Sequence, residues 1–177
     1  MTDKIEIQLS RTKILLLLIG ATIFVVLGTL FIINPEEFKS SIFRNAETIR
    51  ILGIAAVAFF GLCLVFVAKK LFDKKAGLTI DQEGITDNSN ATSIGLIEWA
   101  DITGIGTVQV ASTKILMLET NKPDKYIEKA KNGISKRAMK ANYKMYGSPL
   151  SIISNSLKIK HDALEKLITE EFEKRKK

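Results

Sequence analysis

The sequence predicts a membrane-spanning α-helical hairpin followed by an α+β domain built on a bent antiparallel sheet. Three observations predict it: two long stretches without a charged residue, a change to short alternating runs after residue 76, and helical periodicity over 124–146 and after residue 161. The first thirteen residues alternate, with Ile5, Ile7 and Leu9 set against Glu6, Gln8 and Ser10. They read either as an edge strand that returns to the domain or as a lead into the membrane.

Residues 14–33 (ILLLLIGATIFVVLGTLFII) and 51–68 (ILGIAAVAFFGLCLVFVA) are the predicted spans. At 1.5 Å per residue they extend about 30 Å and about 27 Å, matching a hydrocarbon core of about 30 Å. Neither has the polar stripe that a surface helix of a soluble protein needs. About fifteen Leu, Ile, Val and Phe residues in the first, at roughly −0.4 kcal/mol each, favour its insertion by about 6 kcal/mol. That run exceeds the 7–15 residues of a signal-peptide core, and no A-x-A site follows it, so it reads as an anchor.

Lys4, Arg11 and Lys13 precede the first span, and Lys69, Lys70, Lys74 and Lys75 follow the second. The connecting loop, 34–50, sets Lys39 and Arg44, with Arg50 at its edge, against Glu36, Glu37 and Glu47. The positive-inside bias therefore predicts both ends in the cytoplasm and the loop outside. Within the loop, Asn34-Pro35-Glu36-Glu37 reads as a helix start. It predicts a short interfacial helix with Phe38, Ile42, Phe43 and Ile49 toward lipid.

Small residues (Gly20, Ala21 and Gly28; Gly53, Ala56, Ala58 and Gly61) allow close helix approach. They serve either to pair the hairpin's own helices or to form a homodimer through Gly53, Ala56 and Gly61. Neither span holds an ionisable side chain, which argues against a proton relay. Cys63, the one cysteine, leaves no intrachain disulfide or cysteine-based metal site.

A basic linker, 69–76, leads to the predicted domain, 77–177. Strands are expected at 77–81, 84–89, within SIGLIEWADI, and at 107–110, 113–120 and 148–154, with Gly84 at a positive-φ turn position. Asn88 to Ser93 is a polar loop. Trp99, the only tryptophan, is the expected core anchor, with an indole N–H that needs a partner and a chain corner at Asp101. Over 124–146, Ile127, Ala130, Ile134, Ala138, Ala141 and Met145 form one apolar stripe, expected to face the domain with lysines opposite. Last, Asp162 with Glu165 reads as a capping box, and Leu164, Leu167, Ile168 and Phe172 as the buried stripe of a closing helix.

The runs GLTIDQEGITDNS and GLIEWADITGI resemble the opening strands of bacterial pleckstrin-homology-like domains. Together with the hairpin, the chain from Lys4 onward resembles a group of small bacterial inner-membrane proteins with no agreed activity. The resemblance implies a bent sheet or partial barrel plugged by the last helix, with the basic helix as an insertion before the final strand.

The net charge is +7. Lys122, Lys125, Lys129, Lys136 and Lys140 are candidates for contact with an anionic surface. Nucleic acid is not an expected partner, since Arg137 is the only arginine of that region. No catalytic motif, cofactor motif or metal-ligand spacing is present: His161 is the only histidine, and Asp81, Glu83 and Asp87 do not fit a calcium loop. The expected role is a non-enzymatic, membrane-anchored interaction module whose partners are the bilayer and a protein. Headgroup binding by the basic helix 122–144, or a subunit role in a membrane enzyme or transport assembly, are the alternatives.

Overall fold

The computed structural model describes residues 4–40, 43–90 and 92–176. They fall into two compact units, one formed by residues 11–74 and the other by 75–177 together with the segment before residue 11. The chain starts in the second unit with β1 (Ile5–Ile7) and then forms the hairpin from α1 (Arg11–Ile33) and α2 (Ala46–Leu71).

Both hairpin helices outrun the uncharged stretches that announce them. Nothing in Arg11–Lys13 or Ala46–Arg50 breaks a helix, and Asn45 caps α2 by accepting from the Glu47 backbone N–H at 2.9 Å. Both are long and apolar enough to cross a membrane, and only 11% and 6% of their most apolar windows is buried. A core helix of a soluble protein would be mostly covered, so these bare apolar surfaces call for an apolar solvent. Between them the loop forms one 3₁₀ turn, Pro35–Phe38, in place of the expected interfacial helix. Ile49 belongs to α2 and is buried rather than lipid-facing, and Ile42 lies outside the described residues.

The hairpin closes where it has least side chain. A Cβ built at Gly53 would stand 2.6 Å from the Gly28 carbonyl, and one at Gly28 would meet Gly53, Val57 and Ala56 at 3.0–3.1 Å. Gly53 and Ala56 thus pack inside the hairpin, while nothing lies within 4 Å of a Cβ placed at Gly61. Phe24 stacks on Phe60 with ring centroids 4.3 Å apart.

In the other unit, β1 pairs antiparallel with β2 (Leu78–Ile80), which continues through β3 (Gly84–Asp87) to β4 (Gly95–Glu98). Alternation places Ile5, Ile80, Ile85 and Ile97 side by side across the four strands, and the last three are nearly or fully buried. The N-terminal segment is therefore an edge strand, and its far side is occupied too. Lys158 N–H donates to Gln8 O at 2.9 Å and Ser10 N–H to Ser156 O at 2.7 Å, so the segment bridges β2 and the stretch around Leu157.

The chain turns at a 3₁₀ corner, Trp99–Asp101, into a second antiparallel sheet: β5 (Ile102–Val110), β6 (Thr113–Thr120) and, later, β7 (Leu150–Ile152). The corner begins at Trp99 itself, two residues before the expected break. β6 is the middle strand, and Leu116, Met117 and Leu118 are buried in succession, which requires cover on both faces. Gly84 does not have positive φ; only Gly95 and Gly147 do among the described glycines. Gly84 is required because a Cβ there would collide with the Ile97 carbonyl of the neighbouring strand.

The helix expected over 124–146 is two helices, α3 (Pro123–Glu128) and α4 (Gly133–Tyr146). Asn132 is extended and its side chain accepts from Ser135 N–H at 2.8 Å, so it caps a new helix rather than continuing the old one. The faces of α4 are also not as expected. It buries Ser135 and Met139, while Ile134 and Met145 of the apolar stripe are 77% and 62% exposed. The final helix, α5 (His161–Lys176), buries Leu164 and Ile168. Its capping box does not form: Asp162 lies within the first turn and binds Lys114, and Glu165 accepts from Thr107.

Candidate functional site

Two places in the sheet-bearing unit concentrate polar chemistry: the corner at Trp99–Asp101 and the first turn of α5. Trp99 is 8% exposed. Its backbone N–H donates to Glu83 O at 3.2 Å and its indole Nε1–H to Asp81 O at 2.8 Å. Arg175, near the end of α5, stands 4.7 Å from the indole and donates to the same Asp81 carbonyl at 3.2 Å. Arg175 also binds Glu171, whose other oxygen accepts from Lys174, both at 2.6 Å. Glu171 is almost fully buried, and Lys174 and then Arg175 hold its carboxyl below the usual glutamate range. A cleft of 440 Å³ opens beside the indole, lined by Trp99, Ile102, Phe172 and Arg175 among others.

Asp101 is fully buried. Lys122 Nζ lies 2.6 Å from Oδ1, Lys125 Nζ lies 2.6 Å from Oδ2, and the Tyr126 hydroxyl donates to Oδ2 at 2.8 Å. Lys125 reaches Glu98 as well, at 2.7 Å, while the Tyr126 oxygen accepts from the Glu98 N–H. The two lysines, Lys122 first, hold the Asp101 carboxyl far below the ordinary aspartate value against the pull of burial. Asp101 and Glu98 raise Lys125 in turn, and burial pushes Tyr126 up to about 12. A carboxylate so saturated is a poor proton acceptor, and a phenol with that pKa a poor acid at neutral pH. The cluster's physical effect is to fasten α3 to the corner between the sheets.

The five candidate lysines are accordingly divided. Lys122 and Lys125 neutralise Asp101 and Glu98; Lys136 pairs with Glu128 at 3.0 Å; Lys129 lies 5.2 Å from the Tyr126 ring; Lys140 is exposed on α4. Lys122 and Lys125 precede the 129–132 break, Lys129 lies in it, and Lys136 and Lys140 follow it, so they do not run along one helix. The sequence carried one signal for this cluster: Asp101 follows Trp99 and precedes Ile102 in an apolar stretch, and a charge buried there needs partners.

At the start of α5, His161, Asp162 and Glu165 bring potential ligand atoms within 4.8 Å of one another. One atom of each is engaged, while His161 Nδ1 is buried without a hydrogen-bond partner among the described residues. His161 Nε2 lies 3.0 Å from the Thr107 hydroxyl, which donates to Glu165 at 2.8 Å, and Asp162 binds Lys114 at 2.9 Å. The positive end of the helix dipole disfavours a cation at the same point. The turn thus ties α5 to β5 and β6.

Comparison of the chain with protein-family models, curated proteins and solved structures finds no significant match. The reading of function rests on the geometry of the chain itself.

Proposed function

We propose that the chain is a non-enzymatic, membrane-anchored interaction module. In this reading the hairpin crosses the bilayer, and the sheet-bearing unit, with a pleckstrin-homology-like plan, works at the cytoplasmic face of a bacterial inner membrane. One observation carries it: β1, which precedes the hairpin, is hydrogen-bonded to β2, which follows it. A strand pair that brackets two spans needs both chain ends on one side, and an even number of crossings supplies that. The basic residues at Lys4, Arg11, Lys13, Lys69, Lys70, Lys74 and Lys75 support the cytoplasmic side.

The partner surface in this reading is the outer edge of β5. It is the longest strand, nine residues, and among the described residues it pairs with β6 alone. A partner peptide added there would be held by main-chain hydrogen bonds. Single-cysteine labelling in a Cys63→Ala background tests both parts. Ser40→Cys and Gln109→Cys are expected to react with an impermeant maleimide from opposite faces of sealed vesicles; reaction from the same face refutes the hairpin. A photo-crosslinker at Gln109 is expected to trap a partner in native membranes, and Ile105→Pro, which removes an N–H that alternation from the two-residue turn at Val110–Thr113 directs away from β6, to abolish the adduct. An adduct indifferent to the proline rules out strand addition.

A further inference from the structure

We infer that the outward face of α4 is a lipid-contacting surface that lies on an anionic bilayer; the inference rests on the reading that the hairpin crosses that bilayer. The helix is firmly made. Asn132 caps its start, and Gly147 ends it in the left-handed conformation at φ 78°, its N–H donating to Tyr143 O at 2.9 Å. Ser135 and Met139 hold it to the domain, and Asn142 Nδ2–H reaches Ser151 Oγ at 3.4 Å. At 100° per residue, Ile134, Ala138, Ala141 and Met145 occupy about 60° of arc on a different side, centred about 100° from the buried face. The two large members, Ile134 and Met145, are exposed, and so is Ala141. Free apolar surface on a well-capped helix is otherwise a cost to the protein.

Charge selects the occupant. The sequence of α4, GISKRAMKANYKMY, has three lysines and one arginine and no acid. Arg137 and Lys144 adjoin the apolar stripe about 60–80° round the helix, and Lys140 and Lys136 follow. An apolar ridge bordered on its solvent side by cations on long flexible stems matches headgroups above acyl chains. A second copy would bring like-charged helices together. The four-residue ridge is convex and small for a stable protein interface. A lipid contact needs little intrinsic affinity here, because the same chain carries the anchor and holds α4 at high effective concentration near the bilayer. This surface differs from the expected five-lysine patch, of which Lys122 and Lys125 are held by Asp101 and Glu98.

The test uses the full chain with Cys63→Ala, reconstituted in vesicles and labelled with an environment-sensitive fluorophore at one cysteine: Ile134→Cys, Met145→Cys, Glu128→Cys or Leu62→Cys. In phosphatidylcholine–phosphatidylglycerol vesicles, lipid-borne spin labels are expected to quench positions 134 and 145 about threefold more than 128. That excess should vanish in pure phosphatidylcholine, in high salt, or with Arg137→Glu and Lys144→Glu. Position 62, on the exposed side of α2, should be quenched in every case. If 134 and 145 stay open to aqueous iodide while 62 is in lipid, the inference falls and the anchor stands. If 62 is open to iodide, the anchor falls. Protection of 134 and 145 that rises with protein density in both lipids would assign the face to a second copy and overturn the inference.

Discussion

The hairpin and the sheet-bearing unit solve the packing problem in opposite ways. Between α1 and α2 the tightest approach is backbone against backbone at Gly28 and Gly53, and most large side chains point away. In the sheet unit the interior is filled by Ile80, Ile85, Leu116, Leu118, Tyr126 and Leu164, each essentially without exposure. With the hairpin in a bilayer, as proposed, the difference follows from the solvent each surface meets. Where apolar surface is already in an apolar medium, association comes from close contact, and small residues allow it. Where the surroundings are water, stability comes from volume filled and area removed. Shrinking a side chain therefore harms one unit, and enlarging one harms the other.

That contrast can be broken by experiment, beginning with its largest expected effect. Trp99→Ala leaves a cavity at the corner and removes one of the two donors to the Asp81 carbonyl, and should cost about 3–5 kcal/mol in thermal or denaturant unfolding followed by near-UV signals of the sheet unit. Asp101→Ala should cost less, about 2–3 kcal/mol, because Lys122 and Lys125 are half-exposed and can return to water while the buried Tyr126 hydroxyl loses an acceptor. Gly53→Val is predicted to splay the hairpin while leaving the sheet unit's unfolding unchanged; a cysteine crosslink between α1 and α2 should form more slowly. Arg175→Ala should be mildest, about 1 kcal/mol, from the loss of the indole contact and one partner of Glu171.

The response to pH sharpens the same contrast. Asp101 and Glu171 have folded values below their unfolded ones, so the stability they contribute is present above about pH 4 and is lost as the pH falls below that. Lys125 and Tyr126 are both raised, so their contribution is intact below about pH 10 and declines above it. The runs 14–33 and 51–68 hold no charged side chain. Circular dichroism on acidification below about pH 4 should show a progressive weakening of the near-UV signal with hairpin helicity retained.

The sequence made the hairpin legible because span length is set by an external dimension, the bilayer thickness. The strands were legible through alternation, as in Leu78–Ile80 and Ile85 opposite Ile97. What escaped was set by partners far along the chain. Nothing local to Ile5–Ile7 says that Leu78–Ile80 lies beside it, and the need for Gly84 comes from a neighbour's carbonyl rather than its own φ. The break of the basic helix was written in Asn132-Gly133, a dipeptide that starts and stops structure, but the run of helical spacing overrode it. Periodicity also showed that α4 has an apolar side without saying which side meets the sheet. The side that does carries Ser135 and Met139 and, beside them, Asn142, whose side-chain amide reaches Ser151 Oγ. At the corner, Asp101 was legible as a bend, whereas the lysines that hold it lie more than twenty residues away.

The bracketing of the hairpin by β1 and β2 has a consequence for biosynthesis. Strand 5–7 leaves the ribosome about 70 residues before its neighbour exists, several seconds at ordinary elongation rates. During that interval an apolar strand must wait unpaired, and the first sheet is sealed only after the last hairpin residue has been translated. In the membrane-anchored reading proposed above, correct insertion thereby becomes a precondition for a finished fold, and a nascent chain whose hairpin fails to integrate exposes an orphan strand to the cell's proteases.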